Sequence, residues 1–233
     1  MSAIFKRELK SYFTTPLGYV YVAIFLFFES FFFINLFANG APNIEIIFPT
    51  ISFVTILITP VLTMRLLSED RRQKVDQALL TAPVSIFGIV MGKFLAAFAV
   101  FALGYAPTLV YQIVFTLLGT PNWLVYLNGL LGTLLIGSAL VAVGMFISSL
   151  TESPVISCIL TLVIFMLLQV VPNLASLTGY EWMIAVANKM AFINLFSSFS
   201  GSVFRIVDVV YLLSITFVFV FLSIRTVERR RWA

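Results

Sequence analysis

The sequence predicts an all-α integral membrane protein with six transmembrane helices, and three observations predict it. Of 233 residues, 61% are apolar and 10% charged, whereas soluble globular domains run at about 45–50% and about 25%. A soluble domain of this length leaves too many side chains at its surface to hide that much apolar area. The apolar residues also fall in six continuous stretches, each near the roughly 20 residues that a helix needs to cross a bilayer. A barrel would show alternating segments of about ten residues instead. Finally, the positive charges are unevenly shared between the two sets of loops, as they are around membrane spans.

At the N-terminus, Phe5, Leu9, Tyr12 and Phe13 share one helical face, with Lys6, Arg7, Glu8 and Lys10 beside it. This pattern predicts an amphipathic helix lying in the headgroup plane and ended by Thr14-Thr15-Pro16. It does not read as a cleavable signal peptide, which has a short apolar core and a small-residue cleavage site. The spans then follow at about 17–37, 48–67, 87–118, 125–150, 154–174 and 207–226. Pro60 and Pro107 are expected to kink the second and third. Gly129, Gly132, Gly137, Ser138, Ala139, Ala142 and Gly144 give the fourth the small residues that close helix packing in lipid uses. Residues 184–199 are apolar but interrupted by Asn188, Lys189, Asn194, Ser197 and Ser198, so their runs are too short to cross. They read as a re-entrant or interfacial helical hairpin on the outer face, or as an amphipathic loop on the membrane surface.

Charge placement sets the expected topology. Lys6, Arg7 and Lys10 precede the first span. Arg65, Arg71, Arg72, Lys74 and Lys93 lie between or beside the second and third. Arg225, Arg229, Arg230 and Arg231 follow the sixth. These are 12 of the 14 Lys and Arg residues; Lys189 and Arg205 alone fall between spans five and six. Six spans with both termini inside place the twelve in the cytoplasm.

Composition narrows the chemistry. With no histidine, Ser-His-Asp and Cys-His catalysis and the usual His-based metal sites are absent. Cys158 is the single cysteine, so it forms no intrachain disulfide and is expected to be a buried, inert thiol. The closest approach to a phosphate-cradling P-loop is Gly88-Ile89-Val90-Met91-Gly92-Lys93-Phe94. It is one residue short, and Phe94 stands where a magnesium-holding hydroxyl is needed. Lys93 is therefore expected to be a snorkelling anchor, and nucleotide hydrolysis is expected to belong to a separate protein. Inside the spans the main ionisable residue is Glu29, near the middle of the first and surrounded by phenylalanines. A bare carboxylate there is costly, so it is expected to be protonated, hydrogen-bonded or facing a wet cavity, with Gln112 and Gln169 as possible partners. A substrate path, a subunit interface and helix-to-helix glue all remain open as its role. An intramembrane enzyme would need paired carboxylates, or His with Glu, at one depth.

The most informative stretch is polar, from Ser68 to Pro83. Ser68 can cap a short helix, and Glu69 and Asp70 suit its positive N-terminal end. Val75, Ala78, Leu79 and Ala82 then form an apolar stripe before Pro83 stops it. Such a stripe needs a partner surface or the membrane headgroups.

Four segments together resemble the ABC-2 type transporter permeases, the six-span membrane subunits of type V ABC exporters, and especially their gliding-motility (GldF-like) and NosY-like branch. The segments are Phe5-Lys6-Arg7-Glu8-Leu9-Lys10-Ser11-Tyr12-Phe13 before Pro16; Ser68-Glu69-Asp70 through Leu79-Leu80-Thr81-Ala82-Pro83-Val84-Ser85 to Gly92-Lys93; Ile147-Ser148-Ser149-Leu150-Thr151; and Phe199-Ser200-Gly201 with Asp208 and Tyr211, then Glu228-Arg229-Arg230-Arg231-Trp232. The resemblance covers nearly the whole chain, 1–233, as one transmembrane domain. Many members carry Gly-Thr inside the cytoplasmic helix, where this chain has Lys74-Val75.

The resemblance implies that the N-terminal helix is the family's elbow and that the helix after Ser68 is a coupling helix docking on a cytoplasmic ABC ATPase. Glu69, Asp70, Arg71, Arg72, Lys74, Asp76 and Gln77 would make the polar contacts, with Val75, Ala78 and Leu79 as the apolar seat. It further implies a second permease chain, identical or paralogous, and an outer re-entrant pair between spans five and six. The setting would be the bacterial inner membrane, with lipid around the spans, no nucleic-acid partner, and both termini cytoplasmic. No cofactor is expected in this chain, since ATP and magnesium would sit on the ATPase. Two other readings stay open: a six-span substrate-binding subunit of an energy-coupling-factor importer, and an ion-coupled secondary transporter.

Overall fold

The structure, a computed structural model, describes residues 2–39, 46–73, 85–117, 122–199 and 205–231. Among them are eleven helices and no strand: α1 (Ser2–Thr14), α2 (Pro16–Ala38), α3 (Ile47–Thr63), α4 (Ser68–Arg72), α5 (Ile86–Gly104), α6 (Thr108–Leu117), α7 (Trp123–Leu150), α8 (Pro154–Ser176), α9 (Glu181–Met190), α10 (Phe192–Ser198) and α11 (Ile206–Arg231). Six stretches are long and apolar enough to cross a membrane: Pro16–Ala38, Ile47–Arg72, Ile86–Leu117, Trp123–Leu150, Pro154–Ser176 and Ile206–Arg229. The chain is therefore a helical, multi-pass membrane protein by length and composition.

Burial sorts the six into two groups. The second, third and fourth are 61%, 56% and 67% buried within the protein; the first, fifth and sixth are 17%, 17% and 22%. The centre of the molecule is thus α3, α5 and α7, and the other spans present apolar faces outward. In lipid such faces cost nothing to expose, so sequence hydropathy does not distinguish the two groups.

The fourth span is central because of its glycines. A Cβ added at Gly129 would lie 2.4 Å from the Phe48 ring, at Gly132 2.2 Å from Phe199, at Gly137 2.0 Å from Phe101, and at Gly144 2.3 Å from the Thr63 hydroxyl. Each glycine is a slot filled by a side chain of another element, which brings α7 against α3, α5 and the end of α10. The small-residue stretch therefore packs helices, as its composition predicts.

The two prolines act differently. Pro60 is accommodated in α3, which continues to Thr63. Pro107 separates the third span into α5 and α6. Across Tyr105–Pro107 the backbone tightens, with the Tyr105, Ala106 and Thr108 N–H groups donating three residues back to Ala102, Leu103 and Tyr105. Proline can neither donate a hydrogen bond nor fit the regular ladder, and the Thr108 hydroxyl donates to the Tyr105 carbonyl at 2.7 Å.

The N-terminal helix ends where the sequence predicts, at Thr14, and Pro16 occupies the first turn of α2. Its inward face differs by one position from the expected one. Ile4 and Tyr12 are buried and Glu8, between them, points inward, while Phe5, Leu9 and Phe13 are half-buried. The physical reason is an internal cation that draws Glu8 in, described below. Residues 181–198 form two short helices, α9 and α10, broken at Ala191. Phe192, Leu195 and Phe196 are buried against the spans. Cys158 is half-buried rather than buried, because α8 turns much of its surface outward.

Candidate functional site

A cluster of charged residues gathers at one end of the bundle, around Lys93. This side chain belongs to the second turn of α5 and is 1% exposed. Its ammonium lies 3.1 Å from Glu8 Oε1 and 2.8 Å from Asp70 Oδ2. The expected snorkelling anchor is thus corrected: Lys93 turns inward and is paired with two carboxylates from distant parts of the chain. A buried ammonium is tolerable only with such compensation. Arg7 adds a second cation to Glu8, at 2.7 Å. Burial works against the charged form of Glu8, but Lys93 and Arg7 outweigh it and hold its carboxyl below the ordinary range.

Neighbouring contacts extend this cluster. Arg65 engages Glu69 through both Nε and Nη2, and its Nη1 donates to the Thr15 hydroxyl at 3.2 Å. Gln73 donates to Glu69 at 3.1 Å. Tyr12 donates its hydroxyl proton to the Leu62 carbonyl at 2.8 Å. Arg71 pairs with Glu152, in the turn between the fourth and fifth spans, at 2.6 Å. Together these bonds tie α1, the foot of α3, α4, the start of α5 and the α7–α8 turn into one polar layer. A cavity of about 290 Å³ opens among Arg7, Glu8, Arg65, Glu69, Asp70 and Lys93.

Ser68 is placed differently from its expected capping role. It is fully buried in the first turn of α4, and its hydroxyl donates to the Met64 carbonyl at 2.5 Å. The cap comes from across the bundle: Ser148 Oγ accepts from the Leu67 and Ser68 N–H groups, each at 3.1 Å, and donates to the Met64 carbonyl at 3.0 Å. Of the residues expected to contact a partner ATPase, Glu69, Asp70 and Arg71 are engaged within the chain, and Arg72 is exposed. Lys74, Val75, Asp76, Gln77, Ala78 and Leu79 lie outside the described residues. In sequence that segment falls between two members of the same cluster. Asp70 precedes it by a few residues, and α5, whose N-terminus is capped by Ser85 accepting from Gly88 N–H at 3.2 Å, brings Lys93 after it.

The intramembrane candidates separate. Glu29 is fully buried in α2, and neither carboxylate oxygen has a hydrogen-bond partner among the described residues. Gln112, in α6, is likewise fully buried with both polar side-chain atoms unpartnered there. Gln169 is not a partner of Glu29: its Oε1 accepts from the Ile193 N–H at 3.3 Å and so fastens the start of α10.

Sequence reading missed Lys93, Glu8, Ser148 and Glu152 as members of the polar layer. A lysine set between Gly92 and Phe94 inside an apolar run was the available signal for the first. The other three depend on long-range packing that no local pattern encodes. Among the described residues, no group of three or more Asp, Glu or Cys is placed to hold a metal ion. No family model matches the chain, and no curated protein matches it either.

Proposed function

We propose that the chain is the membrane permease subunit of an ABC-2 type ATP-binding cassette exporter, moving its substrate with energy from a separate ATPase. In this reading the chain forms one transmembrane domain in the bacterial inner membrane, with both termini in the cytoplasm. It pairs with a second permease chain, so that the transport path runs between the two. The N-terminal helix acts as the elbow, residues 68–83 as the coupling helix, and α9 with α10 as the outer re-entrant pair. ATP and magnesium are held by the ATPase.

The observation that carries the reading is the placement of the Asp70–Lys93 ion pair. Asp70 lies near the start of the segment assigned to docking, and Lys93 follows its end. A displacement of that segment would therefore pull directly on an ion pair whose lysine also holds α1 through Glu8. A breakable, buried link of this kind suits the transfer of motion from a bound motor into the spans.

The test is co-purification. Replacing Val75 and Leu79 together with Asp is expected to abolish recovery of the ATPase with this chain while membrane insertion is unchanged. Recovery of the ATPase at the wild-type level would overturn the coupling assignment. Ion coupling is the second reading, favoured by the buried, unpartnered Glu29. It expects Glu29→Gln to stop transport and loss of the ATPase to leave transport intact.

A further inference from the structure

The first and third spans each carry a fully buried polar side chain with no partner among the described residues, Glu29 and Gln112. Phe25 meets Tyr105 at 5.2 Å between ring centroids, and Phe33 meets Tyr111 and Phe115 at 4.4 and 5.1 Å. Ser30 and Tyr111 share a hydrogen bond of 2.8 Å. Glu29 sits one turn from Phe25 and one turn from Phe33 on the same face of α2. It therefore falls opposite the stretch from Tyr105 to Phe115, whose buried residues include Thr108 and Gln112. This is also where the third span breaks and α6 begins.

A helix interrupted within a span, whose backbone carbonyls are freed at the break, is an arrangement that holds small cations. An ionised carboxylate without a partner at that depth carries a heavy desolvation cost, which a single positive charge removes. The titratable groups near enough to feel the charge of Glu29 are the phenols of Tyr21, Tyr105, Tyr111 and Tyr126. Among the described residues no lysine, arginine or second carboxylate pairs with it. None of the described side chains supplies the neutralising charge. One carboxylate and neutral oxygens fit a monovalent charge; a divalent ion would keep an unbalanced positive charge in lipid.

We propose that Glu29 and Gln112 form a buried site for one monovalent cation, a proton or a sodium ion, at the break in the third span. Gln112 supplies a carbonyl oxygen to the bound sodium, or accepts the hydrogen bond of the protonated carboxyl. The site does not depend on the chain being a permease, and its failure would leave that reading untouched.

The experiment uses the full-length protein purified in detergent. Infrared spectra at neutral pH read the protonated-carboxyl band, and thermal melting is followed in sodium against choline chloride. A carboxylic-acid band that disappears in Glu29→Gln identifies the proton. A melting temperature raised by sodium in the wild type and indifferent to it in Glu29→Gln identifies sodium. Absence of both the band and the sodium shift in the wild-type protein overturns the site. If Glu29→Gln does not fold, Glu29→Asp serves, since it moves the band or weakens the sodium response. Gln112→Leu is expected to shift the acid band or to weaken sodium binding about tenfold. An unmoved band together with an unmoved sodium response would remove Gln112 from the site and overturn the two-residue proposal.

Discussion

Lys93 shows what a single buried charge demands of its surroundings. Its ammonium is enclosed by two carboxylates, and removing it would leave Asp70 without its cation and Glu8 with Arg7 alone. Lys93→Met is therefore expected to destabilise the folded protein by about 3 kcal/mol or more, as breaking a buried ion pair does. The neutral triple variant Glu8→Gln, Asp70→Asn, Lys93→Met is expected to recover most of that loss, because no uncompensated buried charge remains and Arg7 is exposed. Melting temperatures in detergent check both, and an unchanged melting temperature for Lys93→Met would contradict the ion-bridge account. The residues of this bridge stand far apart in the chain. Hydropathy could mark Lys93 as an oddity within an apolar run but could not say that Glu8 would meet it. For the same reason the N-terminal helix was legible as amphipathic while its inward face was misplaced by one residue: the apolar stripe was visible and the attracting charge was not.

The elements reveal a second limit of sequence reading. The helices themselves, the end of the first at Thr14 and the packing role of the small residues in α7 are local properties and could be read directly. Proline effects could not. Pro60 and Pro107 look alike in sequence, yet α3 runs past the first and the third span breaks at the second. At the latter, Tyr105 and Thr108 tie into neighbouring helices, through Thr55 and through a 3.2 Å bond to the Tyr126 hydroxyl, so the surroundings hold the tightened turn in place. The glycine slots supply the prediction at this scale. Gly137→Leu is expected to cost at least about 1–3 kcal/mol by overpacking against Phe101. Leu127→Ala, on the exposed side of the same helix, is expected to be nearly neutral. Thermal melting of the two variants side by side checks the contrast.

For the whole molecule, the number of spans was legible because length and hydropathy are additive along the chain. Which spans form the centre was not, since lipid-facing and protein-facing helices are equally apolar. The candidate site divided in the same way. Glu29 was visible as a charge in an apolar span, whereas the polar layer around Lys93 needed four separate segments brought together. Charge asymmetry gives this scale its prediction. In a Cys158→Ser background, single cysteines replacing Lys10 and Arg225 are expected to react with an impermeant thiol reagent from the cytoplasmic side only. Cysteines replacing Lys189 and Arg205 are expected to react from the opposite side only. Labelling of all four from one side would overturn the six-span topology with both termini inside.

The slots along α7 have a mechanical consequence. Phe48 near one end and Thr63 near the other belong to the same neighbouring helix, so the two helices are keyed at both ends of a shared axle. Neither can slide or twist against the other without pulling a ring or a hydroxyl out of its socket. The central pair is therefore built to move as one solid piece. The outer helices α2 and α8 are left as the parts with freedom to swing around it, whereas α11 packs along α7.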